Sequence, residues 1–214
     1  ATLGSMRGEF GILICLAIVA LAVFVEFAVS RRPPRVALLV LGLGPPRRHA
    51  LIATLMLCAA LLCFYPLFSI ATGASVNLRF DALVLAVGVF AQGGIAEEAV
   101  FRGFLFRRLR ETGTFWRAAL IAAIPFVAVH ALLFLTLEPV TAAVALVVSL
   151  SLSFPLAWLF EQSGNSIWPP AIVHAVIQGS IKLVEVGEDH FPILALCWMA
   201  LSIAAPWALL LLRR

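Results

Sequence analysis

The sequence predicts an all-α fold, a polytopic bundle of six to seven transmembrane helices with a short interfacial helix. First, 63% of the 214 residues are hydrophobic, 12% are charged, and the mean hydropathy is +1.09. A soluble domain is about half apolar and about a quarter charged. Second, uncharged apolar runs of about 20 residues recur, and each is long enough to cross a bilayer. Lipid is therefore the solvent that this composition fits.

The apolar runs define the predicted elements. We expect spans at residues 10–30 and 50–72, a third span that starts near residue 80, and four more at 116–137, 140–160, 167–186 and 191–212. Residues 36–44 are apolar but too short to span, so they predict an interfacial or re-entrant segment. Together the elements form one integral membrane domain over residues 6–214. Residues 1–5 precede the first methionine and are interpreted as an expression remnant.

The basic residues are distributed unevenly between the two ends of the spans. If the loop after the first span is cytoplasmic, Arg7, Arg79 and Lys182 fall outside. The other twelve of the fifteen Lys and Arg residues fall inside: Arg31, Arg32, Arg35, Arg47, Arg48, Arg102, Arg107, Arg108, Arg110, Arg117, Arg213 and Arg214. Such a bias predicts a multi-pass membrane protein with a cytoplasmic C-terminus, and the composition rich in Arg, Ala and Leu suits a bacterial inner membrane. The bias also explains the pI of about 9.3, so the expected partner is the lipid bilayer and not nucleic acid.

A charged cluster interrupts the third apolar run in IAEEAVFRGF, residues 95–104. A charge at membrane depth costs about 2.5–3.5 kcal/mol on insertion scales and usually marks function. Glu98 and Arg102 are i,i+4, which predicts an ion pair on one helix face. Glu97 lies about 100° away on the helix and is left to act elsewhere as a base. The alternative, an interfacial salt bridge at a helix end, stays open.

Two further spans carry polar side chains. His130 lies one turn after Phe126, and His174 and Gln178 share a helix face because they are four residues apart. Each also fits a packing role, as a hydrogen-bonded core histidine or as an interhelical polar clamp. If the three spans converge, they supply a base, an orienting histidine and a pair of oxyanion donors. No serine has the surroundings of a nucleophile, so the pattern predicts hydrolysis of an acyl bond, such as a peptide bond, by water.

The sequence leaves the depth of these residues in the membrane open. On a span that starts at Phe80, Glu97 lies about 25 Å along the helix, near its inner end. His130 lies about 20 Å into the fourth span from that same end. A longer, tilted third helix that reaches Arg107 brings Glu97 nearer to the middle, and the QGG sequence at residues 92–94 allows a bend.

The motifs EExxxR, FxxxH and HxxxQ follow one another between residues 80 and 180. Their order and separation resemble the CPBP intramembrane proteases, which include the CAAX prenyl endopeptidases and the bacterial Abi and immunity proteins. The resemblance marks residues 80–180 as the catalytic core. It implies that Glu97 activates water with His130, that Glu98 and Arg102 support the site, and that His174 stabilises the oxyanion with an amide partner. That partner is usually asparagine in the family, and Gln178 is one methylene longer.

The resemblance further implies an endopeptidase that cleaves near the C-terminus of a membrane-anchored protein or peptide. The substrate carries either a prenylated CAAX-like end or a sorting signal. No cofactor is expected; in the zinc-dependent alternative the ligands are Glu97, His130 and His174. A non-catalytic immunity or scaffold protein of the same family, and a transporter that relays protons through these side chains, are the other hypotheses.

Overall fold

The structure is a computed structural model that describes residues 3–211, with side chains from Phe10 onward. Residues 1–2 of the expected remnant, and residues 212–214 at the end of the last predicted span, lie outside the described residues. The elements are α1 (Leu3–Ser30), α2 (Pro34–Val40), α3 (Arg48–Leu62), α4 (Phe64–Thr72), β1 (Val76–Leu78), α5 (Ala82–Val89), a π-helical segment π1 (Phe90–Ala96), a second one π2 (Ala99–Phe106), α6 (Arg107–Thr112), α7 (Phe115–Ala131), α8 (Pro139–Gln162), α9 (Trp168–Leu183), β2 (Val184–Val186), α10 (Phe191–Ala204) and α11 (Ala208–Leu211).

The predicted helical bundle is confirmed. In the described chain, six helical segments are long and apolar enough to cross a membrane. They are Phe10–Ser30, Arg48–Thr72, Ala82–Thr112, Phe115–Leu135, Pro139–Gln162 and Phe191–Leu211. Each coincides with one of the predicted spans. The chain is therefore an integral, multi-pass membrane protein.

The remaining predicted span is α9, which has 16 residues and is short for a membrane helix. The strand pairing shows that it crosses nevertheless. β1 follows α4, β2 follows α9, and the two strands pair antiparallel with Val76 opposite Val186, so both lie on one face of the bundle. Three long spans separate β1 from α9 and leave the chain on the opposite face. Only a crossing by α9, whose rise is about 24 Å, returns the chain to β2.

We call the side with β1 and β2 the hairpin face and the opposite side the arginine face. Ion pairs tie the span ends together on the arginine face. Arg108 donates to the buried carboxylate of Glu26 in α1 at 2.7 Å, and Arg110 donates to Glu161 in α8 at 2.5 Å. Because these helix ends share contacts, Arg108 and Arg110 lie at the same end of the bundle, as the sequence predicts. Arg102, which the sequence placed with them, is buried in the interior, and Arg213 and Arg214 lie outside the described residues.

Residues 34–47 form the expected non-spanning segment. α2 lies at the surface and exposes Val36 and Leu39, whereas Leu41 just after it is fully buried. From there the chain passes beneath the α8–α9 turn, where the Ile167 amide donates to the Gly42 carbonyl at 2.8 Å. Gly103 of π2 packs so closely on this segment that a Cβ there would overlap the Leu41 carbonyl oxygen. The segment is interfacial at α2 and buried after it.

The third span differs from the regular α-helix that the sequence predicts. π1 and π2 flank Glu97 and Glu98, and the Glu97 amide donates to the Gln92 carbonyl, five residues back. Such π-helical segments are rare and are frequently found at functional sites. The whole span runs from Ala82 to Thr112, so Glu97 lies midway between its ends. Of the two alternatives that the sequence left open, the structure has the longer third helix, which reaches beyond Arg107.

We expect Gly103→Ala to destabilise the bundle, because the new methyl group meets backbone and not a mobile side chain. The free energy of unfolding should fall by about 1–3 kcal/mol, as for other overpacked sites. Thermal unfolding in detergent measures this change. Gly187→Ala is the control, since a Cβ at Gly187 has no heavy atom within 4 Å. Equal melting temperatures for the two variants would contradict the close contact between π2 and the segment after α2.

Candidate active site

Glu98 is the centre of the polar cluster. It is fully buried, and its Oε1 accepts two hydrogen bonds, from Arg102 Nη1 at 2.8 Å and from His174 Nδ1 at 2.7 Å. Arg102 is itself 3% exposed. The expected i,i+4 ion pair is thus formed inside the bundle and not at a helix end. A buried carboxylate is stable when such charged partners surround it.

Glu97 has a different environment from that of its neighbour. Its side chain is 21% exposed, and its Oε2 lies 3.8 Å from His174 Nε2. That oxygen is buried and has no hydrogen-bond partner among the described residues. Oε2 of Glu98 also lacks a partner among the described residues, but Glu98 is fixed through its Oε1, whereas Glu97 is partly exposed and can take a new partner.

His174 stands between the two carboxylates. It is buried in α9, donates Nδ1–H to Glu98 and turns Nε2 towards Glu97. The hydrogen bond to Glu98 fixes which ring nitrogen carries the proton in the neutral form. Two glycines of π1 allow α9 to approach so closely. A Cβ at Gly94 would lie 3.0 Å from the Ala171 carbonyl oxygen, and one at Gly93 would overlap Oε1 of Gln178.

His130 approaches the cluster from α7. Its Nδ1 lies 2.8 Å from the Phe126 carbonyl oxygen, which can only accept, so Nδ1 carries the proton. Nε2 then holds a lone pair in the neutral ring. His130 is partly exposed and lies within electrostatic range of Glu97, His174 and Arg102. The three spans predicted to converge therefore do so.

Phe126 is a residue of the site that the sequence analysis named only as part of the FxxxH motif and gave no role. Its ring is 1% exposed and lies 4.5 Å from the Arg102 guanidinium carbon. The rings of His130 and His174 lie 4.7 and 5.9 Å from it, centroid to centroid. It therefore fixes one cation and both imidazoles at once. The available signal was the i,i+4 spacing of Phe126 and His130, which puts both on one helix face.

Gln92 is a second residue of this kind, since the sequence analysis named it only as part of the QGG sequence. Its Oε1 is buried and finds no hydrogen-bond partner in the described part of the chain. It sits one π-turn before Glu97, whose amide bonds to the Gln92 carbonyl. Unpartnered, buried acceptor oxygens of Gln92, Glu97 and Glu98 thus occur within seven residues of one span. Buried polar groups are normally satisfied, so this part of the site is suited to molecules that donate hydrogen bonds, such as water.

The zinc alternative concerns the same side chains. Among the side chains that the structure describes, no three of His, Cys, Asp or Glu lie close enough together to hold a metal ion. His174 donates Nδ1–H to Glu98, so its Nε2 is the only nitrogen of that ring that could bind zinc.

Fold and site together define a multi-pass membrane protein with a carboxylate–imidazole centre in the middle of its helix bundle. Residues 79–180 match the sequence model of a family described as Type II CAAX prenyl endopeptidase Rce1-like. This segment of the chain is thus similar to the Rce1-like family, a family of CAAX-type intramembrane proteases. No curated protein and no solved structure matches the chain.

The matched segment contains every side chain of the cluster, from Gln92 to Gln178. The match confirms the resemblance that the three motifs carried, and it makes peptide hydrolysis the general activity of the family. It lends no support to the description as an Abi protein or as a metalloprotease.

Glu98→Gln should destabilise the protein much more than the same change at Glu97. Glutamine at residue 98 leaves the buried Arg102 without a counter-charge, which typically costs about 3–5 kcal/mol. Glu97 is partly exposed, and its Oε2 has no partner to lose among the described residues. Melting temperatures of both variants in detergent measure the difference. Equal melting temperatures would show that the Glu98–Arg102 pair does not support the fold.

Proposed function

We propose that this protein is an intramembrane endopeptidase that hydrolyses a peptide bond near the C-terminus of a membrane-anchored substrate by glutamate-activated water. The observation that carries the proposal is the contrast between Glu97 and Glu98. Both carboxylates keep an Oε2 without a hydrogen-bond partner among the described residues. Glu98 is fully buried and held through Oε1 by Arg102 and His174, whereas Glu97 is 21% exposed. Glu97 is therefore the carboxylate that is free to accept and return a proton.

His130 supplies the second acceptor for the nucleophilic water. Its Nδ1–H is donated to the Phe126 carbonyl, so Nε2 offers a lone pair to a water proton. As the water oxygen attacks the scissile carbonyl carbon, Glu97 takes one proton from it. Glu97 then gives this proton to the amide nitrogen while the C–N bond breaks, which leaves a carboxylic acid and an amine. The proposed reaction uses no cofactor.

His174 and Gln178 supply the donors for the oxyanion that forms at the carbonyl oxygen. Such donors stabilise the transition state because they point to the place where charge develops. Gln178 offers its side-chain N–H groups. His174 already donates Nδ1–H to Glu98, so Nε2 can donate only when the ring carries both protons. The carboxylates beside its two nitrogens provide the counter-charge for that form.

The position of the site along its span supports a membrane-anchored substrate. Glu97 lies midway along its span, so the scissile bond must enter the interior of the bilayer. Backbone polar groups in lipid are costly unless they are paired, and a lipid or hydrophobic anchor offsets this cost. A prenylated CAAX-like C-terminus is the substrate that the family description indicates, and a C-terminal sorting signal is the second class. By the positive-inside rule, the arginine face is cytoplasmic, which fits a bacterial inner membrane with the C-terminus inside.

Replacing Glu97 by glutamine should abolish cleavage while the protein stays folded. Without the base we expect kcat to fall by about 10²–10⁴-fold, with an unchanged melting temperature. The assay follows cleavage of farnesylated and unmodified CAAX peptides in proteoliposomes by mass spectrometry. Glu188→Gln is the matched control, since Glu188 is exposed in the loop after β2. A Glu97→Gln variant that cleaves as fast as this control would remove Glu97 from the role of base.

His130→Ala separates a catalytic histidine from a packing histidine. Its ring is partly exposed, and its hydrogen bond stays within its own helix. We therefore expect kcat to fall by about 10²-fold or more with little change in melting temperature. The same proteoliposome assay and a detergent melt measure the two quantities. A clear loss of stability with kcat retained would favour the non-catalytic scaffold hypothesis.

A further inference from the structure

The contact between Gly93 and Gln178 is closer than helix packing alone requires. A Cβ built on Gly93 would overlap Oε1 of Gln178 and would lie 3.1 Å from its Cδ and 3.5 Å from its Nε2. The amide of Gln178 therefore occupies the space that any other residue at 93 would fill with its own side chain. This contact joins a residue of π1 with a predicted oxyanion donor on α9.

The contact has a defined place relative to the reacting groups. π1 runs from the hairpin face to the arginine face and α9 runs back, so the two segments are antiparallel. Gly93 is four residues before Glu97, and Gln178 is four residues after His174. The Gly93–Gln178 contact is thus one turn from the place where Glu97 Oε2 and His174 Nε2 lie 3.8 Å apart. A movement of the Gln178 amide would be a movement within the active site.

We propose that Gly93 is a positioning residue: the missing side chain at Gly93 holds the Gln178 amide where it can donate to the oxyanion. This inference rests on the proposed function. Glutamine needs one methylene more space than asparagine between α9 and π1, and the absence of a Cβ at residue 93 supplies that space. Gly93 and Gln178 therefore form a coupled pair, in which the residue at 93 decides how long the amide side chain at 178 can be.

The neighbouring glycine provides a contrast. A Cβ on Gly93 meets the far end of a flexible side chain, which can turn away, so Gly93→Ala should fold and displace the amide. A Cβ on Gly94 meets the Ala171 carbonyl oxygen at 3.0 Å and the Phe90 ring at 3.1 Å. Gly94→Ala therefore strains the packing of π1 on α9 without contact to Gln178. The two variants separate the position of the amide from helix packing.

A double-mutant cycle tests the coupling, with kcat and KM measured on the cleaved peptide for the wild type, Gly93→Ala, Gln178→Asn and the double variant. Removing one oxyanion donor typically lowers kcat by about 10²–10³-fold, so a displaced amide should cost about 10–100-fold at nearly constant KM. The shorter asparagine leaves room for the new methyl group, so the double variant should recover at least about ten-fold of this loss. A kcat of Gly93→Ala equal to wild type, or a double variant no faster than Gly93→Ala, would overturn the proposal.

Gly94→Ala is carried through the same cycle. It should lower the melting temperature, and Gln178→Asn should not restore its activity. If Gln178→Asn rescues both glycine variants equally, the effect belongs to helix packing and the positioning role of Gly93 is refuted.

A spectroscopic measurement keeps this inference separate from the proposed function. The sequence contains three glutamines, Gln92, Gln162 and Gln178, so ¹⁵N labelling of glutamine side chains in detergent gives few signals, and Gln178→Asn identifies its own. The Gln178 signal should shift in Gly93→Ala and stay near its wild-type position in Gly94→Ala. An unshifted signal in Gly93→Ala refutes the positioning role. If the wild-type protein shows no cleavage that depends on Glu97, the proposed function is refuted. The ¹⁵N signal of Gln178 would still show whether Gly93 positions the amide.

Discussion

The structure depends on one buried oxygen, Oε1 of Glu98, which accepts hydrogen bonds from Arg102 on its own span and from His174 on α9. A buried charge that loses a partner costs several kcal/mol. Separating α9 from the third span is therefore energetically unfavourable. One carboxylate thereby holds two spans together and orients an imidazole. Because this task falls to Glu98, the adjacent Glu97 is released from it and stays partly exposed.

This arrangement requires two helical segments to approach each other far more closely than large side chains allow. Gly93 and Gly94 of π1 provide the space, since a Cβ on either would press on α9. In membranes, small residues serve this purpose generally, because helices there associate by packing and polar contacts and not by a hydrophobic driving force. Phe126 closes the other side, where its ring packs against Arg102 and the rings of His130 and His174. The polar centre is thus enclosed by glycine backbone on one side and by an aromatic ring on the other.

Most of the site could be predicted from the sequence, because each group is costly in lipid and stands out against apolar neighbours. Glu97, Glu98, His130 and His174 all belong to this class, and the structure brings them together as expected. Phe126 could not be identified in the same way, because a phenylalanine in a transmembrane helix has no energetic cost that calls for an explanation. Gln92 has such a cost, but it was treated only as part of a sequence that allows a bend. The π-helical backbone around Glu97 could not be predicted from periodicity either, because periodicity arguments assume 3.6 residues per turn.

By itself, the sequence determined that the chain lies in lipid and which segments cross the bilayer. It also determined at which ends of these segments most of the arginines lie and that Glu98 pairs with Arg102. All of these follow from composition or from spacing within one helix. Only the tertiary structure decided that His174 bonds to Glu98, 76 residues away, and that Glu97 lies midway along the third span. It also decided that α9 crosses with 16 residues, as the pairing of β1 with β2 requires. A hydrogen bond between two spans depends on their separation to within a few tenths of an ångström, and that separation is set by the packing of glycines and aromatic rings from several helices at once.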